Sequence, residues 1–383
     1  GGAIDSKITS YALAQNMSVV ATSGPTHDQQ PVFVWSAYDK ASKTAPTPHT
    51  GQPDAWGFGS WGLAGAVAFQ DFDGDTYLDM MLQGVYASPE YYRYAPKTGF
   101  ERVSDEAVDA ISNTPASCLA ADFDNDGFTD LFSTSAAWFG AGPNRLLRND
   151  GGKGFVEVKE TGDLPLLDQN SVGSSALDYD KDGLLDIVVS GSKGGTARLL
   201  RNKGNMVFEE TTKAAGLLDT WYPSIHITSG DVTGDGWPDI FVNAIGGTNR
   251  LYINKGDGTF AEEGKARGVA DGTPVGFATW MFDYDNDGDL DIVAANFAMS
   301  GKKFLGGFGS FPPESFSVAK APGDAFQPSA LYKNDGKGQF ENISVKAGIV
   351  PSSVMGAQFL DIELDGDLDI VFGPGSHPLE NMQ

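Results

Sequence analysis

Short apolar stretches alternate with turn-rich acidic stretches along most of the chain. A stretch such as Ala64–Phe69 or Ser175–Leu177 leads into an acidic loop. A β-branched run leaves it, as in Asp186-Ile187-Val188-Val189 and Asp291-Ile292-Val293-Ala294. A third segment follows: Asn144-Arg145-Leu146-Leu147-Arg148-Asn149, Ala197–Asn202, Asn249–Asn254 and Ala330–Asn334. After a Gly-rich turn comes a fourth, as in Gly258-Thr259-Phe260 and Gly338-Gln339-Phe340. Runs this short, rich in β-branched residues and bounded by Gly, Asn and Asp, predict strands, and helical periodicity is weak throughout. Four strands per repeat of about 50 residues predict one blade of a β-propeller.

The acidic loops share a nine-residue pattern that recurs six times, with starts 51, 56, 53, 52 and 78 residues apart. Acids occupy positions one, three, five and nine: Asp71, Asp73, Asp75 and Asp79, then Asp122, Asp124, Asp126 and Asp130, then Asp178, Asp180, Asp182 and Asp186. The fourth loop has Asp231, Thr233, Asp235 and Asp239, the fifth Asp283, Asp285, Asp287 and Asp291, and the sixth Asp361, Glu363, Asp365 and Asp369. Position six is Gly in five loops and Thr76 in the first. Carboxylates this close repel one another unless a cation lies among them. Hard oxygen ligands at this spacing, completed by a backbone carbonyl at position seven, suit Ca²⁺ rather than Zn²⁺. The spacing is that of the first part of an EF-hand loop, but position twelve lacks Glu and the flanks are strands. About five or six structural Ca²⁺ ions are expected, the fourth loop being weakest because Thr233 replaces an acid.

Composition sharpens this picture. The 383 residues carry a formal charge of −25, and 23 of the 51 acids sit at the ligand positions of the loops. Six divalent ions would bring the charge to about −13. A surface of this sign argues against nucleic acid as a partner. No 18-residue apolar run is present, so no membrane-spanning helix is expected. The start, Gly1-Gly2-Ala3-Ile4-Asp5, has no basic or apolar leader character and reads as a mature or trimmed N-terminus. One cysteine, Cys118, excludes an internal disulfide and is expected in the core. Sites of this kind suit millimolar calcium, which places the protein outside the cytoplasm: extracellular, cell-surface or periplasmic.

Together these loops and flanks resemble the FG-GAP/VCBS repeat family, the propeller of integrin α-chains and of many secreted bacterial proteins. Leu251-Tyr252-Ile253-Asn254-Lys255-Gly256-Asp257-Gly258-Thr259-Phe260, followed by Gly268-Val269, is most similar to its cartilage-acidic-protein-like subgroup. The resemblance implies an all-β, seven-bladed β-propeller of four-stranded blades with calcium-binding DxDxDGxxD loops, forming a single domain over residues 1–383. On this reading residues 1–55 form a degenerate first blade without an acidic loop, and residues near Ala3–Lys7 supply the outer strand of the last blade. Residues 296–328, Phe-rich among Gly and Pro, form an insertion in the sixth unit.

In this resemblance the calcium loops lie on the lower face, and the two-to-three and four-to-one connections on the upper. His27, His49, His226 and His377 then map to the upper face or its rim, with Trp56, Trp61, Tyr91, Trp138, Trp221 and Tyr222. Aromatic platforms of this kind suit sugar rings or protein partners, although such rings also pack between blades. No Gly-x-Ser-x-Gly, His-Glu-x-x-His, Walker or dinucleotide motif is present. The favoured expectation is a secreted or surface-attached calcium-stabilised binding or adhesion module for a carbohydrate or protein ligand. The alternative is a propeller enzyme, a polysaccharide lyase or hydrolase, using upper-face histidines with or without a transition metal. A spacer in a larger surface protein also fits.

Overall fold

The computed structural model describes residues 66–83, 89–111, 115–135, 143–164, 171–191, 197–217, 224–245, 247–270, 272, 274–296, 328–347, 349, 354–360 and 369–374. Five four-stranded antiparallel sheets follow one another along the chain, each with its strands in sequence order, and a two-stranded sheet ends the described part. Sheet one comprises Ala66–Gln70, Asp79–Gln83, Glu90–Ala95 and Gly99–Val103. Sheet two comprises Pro115–Ala121, Asp130–Ser135, Arg145–Asn149 and Phe155–Glu157. Sheet three comprises Ser171–Leu177, Asp186–Gly191, Arg198–Asn202 and Phe208–Glu210. Sheet four comprises Ser224–Gly230, Asp239–Ala244, Arg250–Asn254 and Phe260–Glu262. Sheet five comprises Gly276–Phe282, Asp291–Asn296, Ala330–Asn334 and Phe340–Asn342, and sheet six Val354–Leu360 and Asp369–Pro374.

The first strands of successive sheets lie side by side, which is the arrangement of propeller blades about an axis. The described residues are thus nearly all-β, as the pattern predicts. Among the described residues one helical turn occurs, Glu106–Asp109, capped by Asp105, whose carboxylate accepts from the Ala107 and Val108 N–H groups. The expected loopless unit over 1–55, the strand near Ala3–Lys7 and all but the ends of the 296–328 insertion lie outside the described residues.

The core lies between the sheets. Tyr179, Val188 and Leu199 of sheet three pack on Ile227, Ile240, Val242 and Tyr252 of sheet four, and sheets one–two, two–three and four–five join in the same way. Second strands are covered on both faces: Asp130–Ser135, Asp239–Ala244 and Asp291–Asn296 are buried at every residue. This explains why Ile240-Phe241-Val242 and Ile292-Val293-Ala294-Ala295 read as continuous apolar runs rather than alternating ones. Cys118 packs against the sheet one–two core, and burial raises its thiol pKa to about 12.

Polar bonds also stitch neighbouring sheets. On second strands, Gln83 Nε2, Thr134 Oγ1, Ser190 Oγ and Asn243 Nδ2 donate to the Ser117, Val172, Ile225 and Ala278 carbonyls on the first strand of the next sheet (2.6, 2.7, 2.9 and 3.1 Å). At the outer edge, the Phe260 N–H donates to the Ala215 carbonyl and the Phe340 N–H to the Arg267 carbonyl. The chain there is so close that a Cβ on Gly268, at φ +87°, would stand 2.4 Å from the Phe340 carbonyl oxygen.

Candidate metal centres

Each acidic loop joins the first and second strands of a sheet, and its ninth residue pairs with the last residue of the first strand. The pairs are Gln70–Asp79, Ala121–Asp130, Leu177–Asp186, Gly230–Asp239, Phe282–Asp291 and Leu360–Asp369. A single register therefore sets the loop at the same end of every sheet.

Inside the loop the carboxylates fold the backbone around themselves. Asp122 accepts from the Asp126 N–H at Oδ1 (3.1 Å) and the Gly127 N–H at Oδ2 (2.9 Å), and Asp126 Oδ1 accepts from the Phe128 N–H (2.9 Å). The same bonds recur around Asp71, Asp178, Asp231 and Asp283. Two residues take left-handed backbone. Position six does so at Gly127, Gly183, Gly236 and Gly288, and also at Thr76 (φ 77°). Position four does so at Gly74, Asn125, Lys181, Gly234 and Asn286. Gly and Asn tolerate that conformation best, which accounts for most of the residue choices at position four.

The ninth residue differs from the rest. Asp79, Asp130, Asp186, Asp239 and Asp291 are fully buried. One oxygen of each accepts the N–H of loop position two: Phe72, Phe123, Tyr179, Val232 and Tyr284. The other accepts an N–H on the third strand: Tyr94, Asn149, Asn202, Asn254 and Asn334. Burial, opposed by these bonds and aided by the neighbouring carboxylates, raises the pKa of Asp130, Asp186 and Asp239 to about 7 and that of Asp291 to about 6. Asp79 is also raised, for the same first cause.

Positions one, three and nine converge, with ligand oxygens within 4.8 Å of one another, in four loops: Asp71/Asp73/Asp79, Asp122/Asp124/Asp130, Asp178/Asp180/Asp186 and Asp283/Asp285/Asp291. These clusters can hold a metal ion. Their all-carboxylate donor set is that of a hard cation, and Asp180 Oδ1 is buried with no hydrogen-bond partner among the described residues, as a ligand atom would be. Position five, expected alongside them, is not among the three converging carboxylates of each cluster; its Oδ1 accepts the N–H of position seven. With Thr233 in place of an acid, the fourth loop forms no cluster of three. The loop spanning Asp361, Glu363 and Asp365 lies outside the described residues. Cations cover the outer side of three clusters: Arg93 stands 3.3 Å from Asp73, Arg201 2.6 Å from Asp180 and 3.0 Å from Asp182, and Lys333 pairs with Asp285 and Asp287.

The residues expected to bind a ligand fare differently. Tyr91 is no exposed platform. It is 2% exposed, edge-on to Phe72 and Phe155, and its hydroxyl donates to Asp79 Oδ2 (3.1 Å), because strand alternation turns it towards sheet two. His226 lies on the first strand of sheet four, 6.0 Å from the Trp280 ring. Its Nδ1 is buried without a partner among the described residues, and burial lowers its pKa to about 4. His27, His49, Trp56, Trp61, Trp138, Trp221, Tyr222 and His377 lie outside the described residues.

One set of residues escaped functional notice in the sequence. Each third strand of sheets two to five ends in a buried Asn: Asn149, Asn202, Asn254 and Asn334. Its Nδ2 donates both to the position-eight carbonyl of its own loop and to the position-two carbonyl of the preceding loop. Its Oδ1 accepts from a Gly N–H in the following turn. The visible signal was the repeat of Asn at the end of each third segment.

Comparison with known proteins finds the same repeat in the sequence. The family model described as FG-GAP-like repeat matches residues 71–133, 178–242 and 231–294, and the one described as Phospholipase B matches residues 1–62. Cartilage acidic protein 1 of Xenopus tropicalis is 25% identical over 201 residues, covering 51% of this chain and 30% of that protein. Phospholipase B-like protein C of Dictyostelium discoideum is 42% identical over 71 residues, covering 18% of this chain and 12% of that protein. Among solved structures, the BP39L lectin from Burkholderia pseudomallei aligns with a TM-score of 0.46 at 12% identity, covering 81% of each chain. Three family-model matches, each beginning at the first Asp of an acidic loop, identify the chain as a protein of FG-GAP-like repeats.

Proposed function

We propose that this chain is a calcium-stabilised binding module that works outside the cytoplasm and recognises a carbohydrate or protein ligand through the face opposite its acidic loops. The observation that carries this reading is the repetition of one carboxylate cluster, in one register, at the same end of sheets one, two, three and five. Ca²⁺ is the ion whose ligand chemistry and size suit such loops, with Asp71, Asp73 and Asp79 and their counterparts as ligands and the fourth and sixth loops as variants of the same site. Ions held there brace the sheet ends and leave the other ends free to carry ligand contacts. Upper-face histidines and aromatics, including His226, and the Phe-rich insertion are the residues proposed for that contact. The test is a glycan and protein-partner array probed with the calcium-loaded chain. Specific capture that is lost on deleting residues 297–327, with calcium content unchanged, supports the reading. Capture that survives both that deletion and substitution of His226 speaks against the proposed face.

The Phospholipase B match favours a second reading, in which the module serves a hydrolase. A segment of 62 residues, corresponding to roughly a tenth of a phospholipase B-like protein, is too small to form such an enzyme's core by itself. On this reading the propeller is the binding partner of a phospholipase B-like body and brings it to its substrate. Phosphodiester or acyl-ester hydrolysis by the native full-length gene product, reduced when the propeller is removed, supports it; equal rates with and without the propeller oppose it.

A further inference from the structure

The buried polar groups of successive loops form one continuous path. Asp291 Oδ1 accepts the Asn334 N–H, and Asn334 Nδ2 donates to the Val232 carbonyl (2.8 Å). The Val232 N–H donates to Asp239 Oδ2, and Asp239 Oδ1 accepts the Asn254 N–H. Asn254 Nδ2 reaches the Tyr179 carbonyl (2.9 Å), and Tyr179 N–H reaches Asp186. From Asp186 the path continues through Asn202 to the Phe123 carbonyl (2.8 Å), through Phe123 N–H to Asp130, and through Asn149 to the Phe72 carbonyl (2.8 Å) and Asp79. Every carboxylate on the path is the ninth residue of a loop, and every step is buried. Among the described residues it ends at sheet one, where Tyr94 replaces the Asn. The Tyr94 N–H still binds Asp79, but its ring packs on Tyr77 and Phe100.

We infer that the acidic loops take up their cations as a coupled array, with the four Asn side chains transmitting occupancy from each loop to the one before it. This rests on the calcium reading above. A cation in one loop fixes its ninth carboxylate. That carboxylate holds the Asn backbone, and the Asn side chain holds the position-two peptide that orients the ninth carboxylate of the preceding loop. Each linked group has two bonds to satisfy in a dry site, so distorting one loop leaves its neighbour's groups unpaired. Adjacent loops touch at the rim as well: Asn125 Nδ2 donates to the Gly183 carbonyl (2.8 Å), and Lys181 lies 4.1 Å over the Trp237 ring. The fourth loop, short of one acid at Thr233, sits inside the path and gains most from filled neighbours.

The experiment is a titration of the decalcified full chain with CaCl₂, followed by native mass spectrometry, for the unmodified protein and for Asn202→Ala. Coupling worth at least about 5-fold per neighbour predicts that intermediate calcium counts are depleted in the unmodified protein, relative to a binomial distribution. It further predicts that Asn202→Ala, which cuts the path between the second and third loops, splits filling into two groups while the final count stays the same. A binomial distribution in the unmodified protein overturns the inference without touching the calcium reading, and needs no variant to fold. An Asn202→Ala chain that fills in one step as the unmodified protein does also overturns it. No calcium bound at any concentration removes both.

Discussion

Thr76 occupies a loop position that is Gly in each of the other acidic loops. Its φ of 77° places a β-branched side chain in left-handed backbone, a conformation that costs a non-Gly residue about 1–2 kcal/mol. Thr76→Gly is therefore expected to raise unfolding free energy by about 1 kcal/mol, the gain being reduced by the extra freedom of Gly in the unfolded chain. Denaturant titration of the calcium-loaded protein measures it, and a loss of stability would mean that the hydroxyl makes up for the strain. His226 offers a second residue-scale test. Burial lowers its pKa from 6.5 to about 4, so between those values the unfolded chain binds a proton that the native one does not. Its contribution to stability is complete above pH 6.5 and is lost as pH falls towards 4. His226→Phe should remove that component. The difference in stability between the two proteins should grow in favour of the variant on acidification, and a difference that stays constant from pH 7 to 4.5 would rule this out.

At the scale of the element, sheets are joined by side chains reaching for backbone carbonyls. Asn254→Ala would leave the Tyr179 and Pro238 carbonyls and the Gly256 N–H short of a partner. A fully buried unsatisfied group costs about 1–3 kcal/mol, and two of these three bonds are only part-buried, so a loss of about 3–4 kcal/mol, near the lower end of the sum, is expected by chemical denaturation, against little effect for an exposed control such as Lys255→Ala. The strands and acidic loops were legible in the sequence, because a nine-residue pattern and its β-branched flank repeat locally. The joining bonds were not, since their partners stand 34 to 102 residues apart and one of them is a backbone carbonyl, which no residue type announces. Two side-chain placements were equally hidden from the sequence. The alternation that buries Tyr91 runs through Tyr91-Tyr92-Arg93-Tyr94, a run whose composition suggests an exposed aromatic surface. The acid at position five belongs to the motif by spacing, and the bond its Oδ1 accepts from the position-seven N–H is a local detail that spacing does not announce.

For the whole molecule, charge is the governing quantity. A formal charge of −25, with most loop acids gathered at corresponding ends of the sheets, opposes folding unless cations are bound there. Each site at a free calcium concentration 100 times its Kd adds about 2.7 kcal/mol to stability. Chelation should therefore lower the unfolding temperature steeply, and restored CaCl₂ should recover it where equimolar MgCl₂ does not, since Mg²⁺ gives up its water reluctantly. The match of residues 1–62 to Phospholipase B is a feature that repeat periodicity could not suggest.

The most direct test is the metal content of the chain purified without chelator, read by elemental mass spectrometry. The loops predict about five or six calcium ions per chain, falling by one when Asp178 and Asp180 are both changed to Asn. Protein that is folded and holds no calcium in millimolar CaCl₂ would contradict the assignment of the acidic loops as the braces of this propeller.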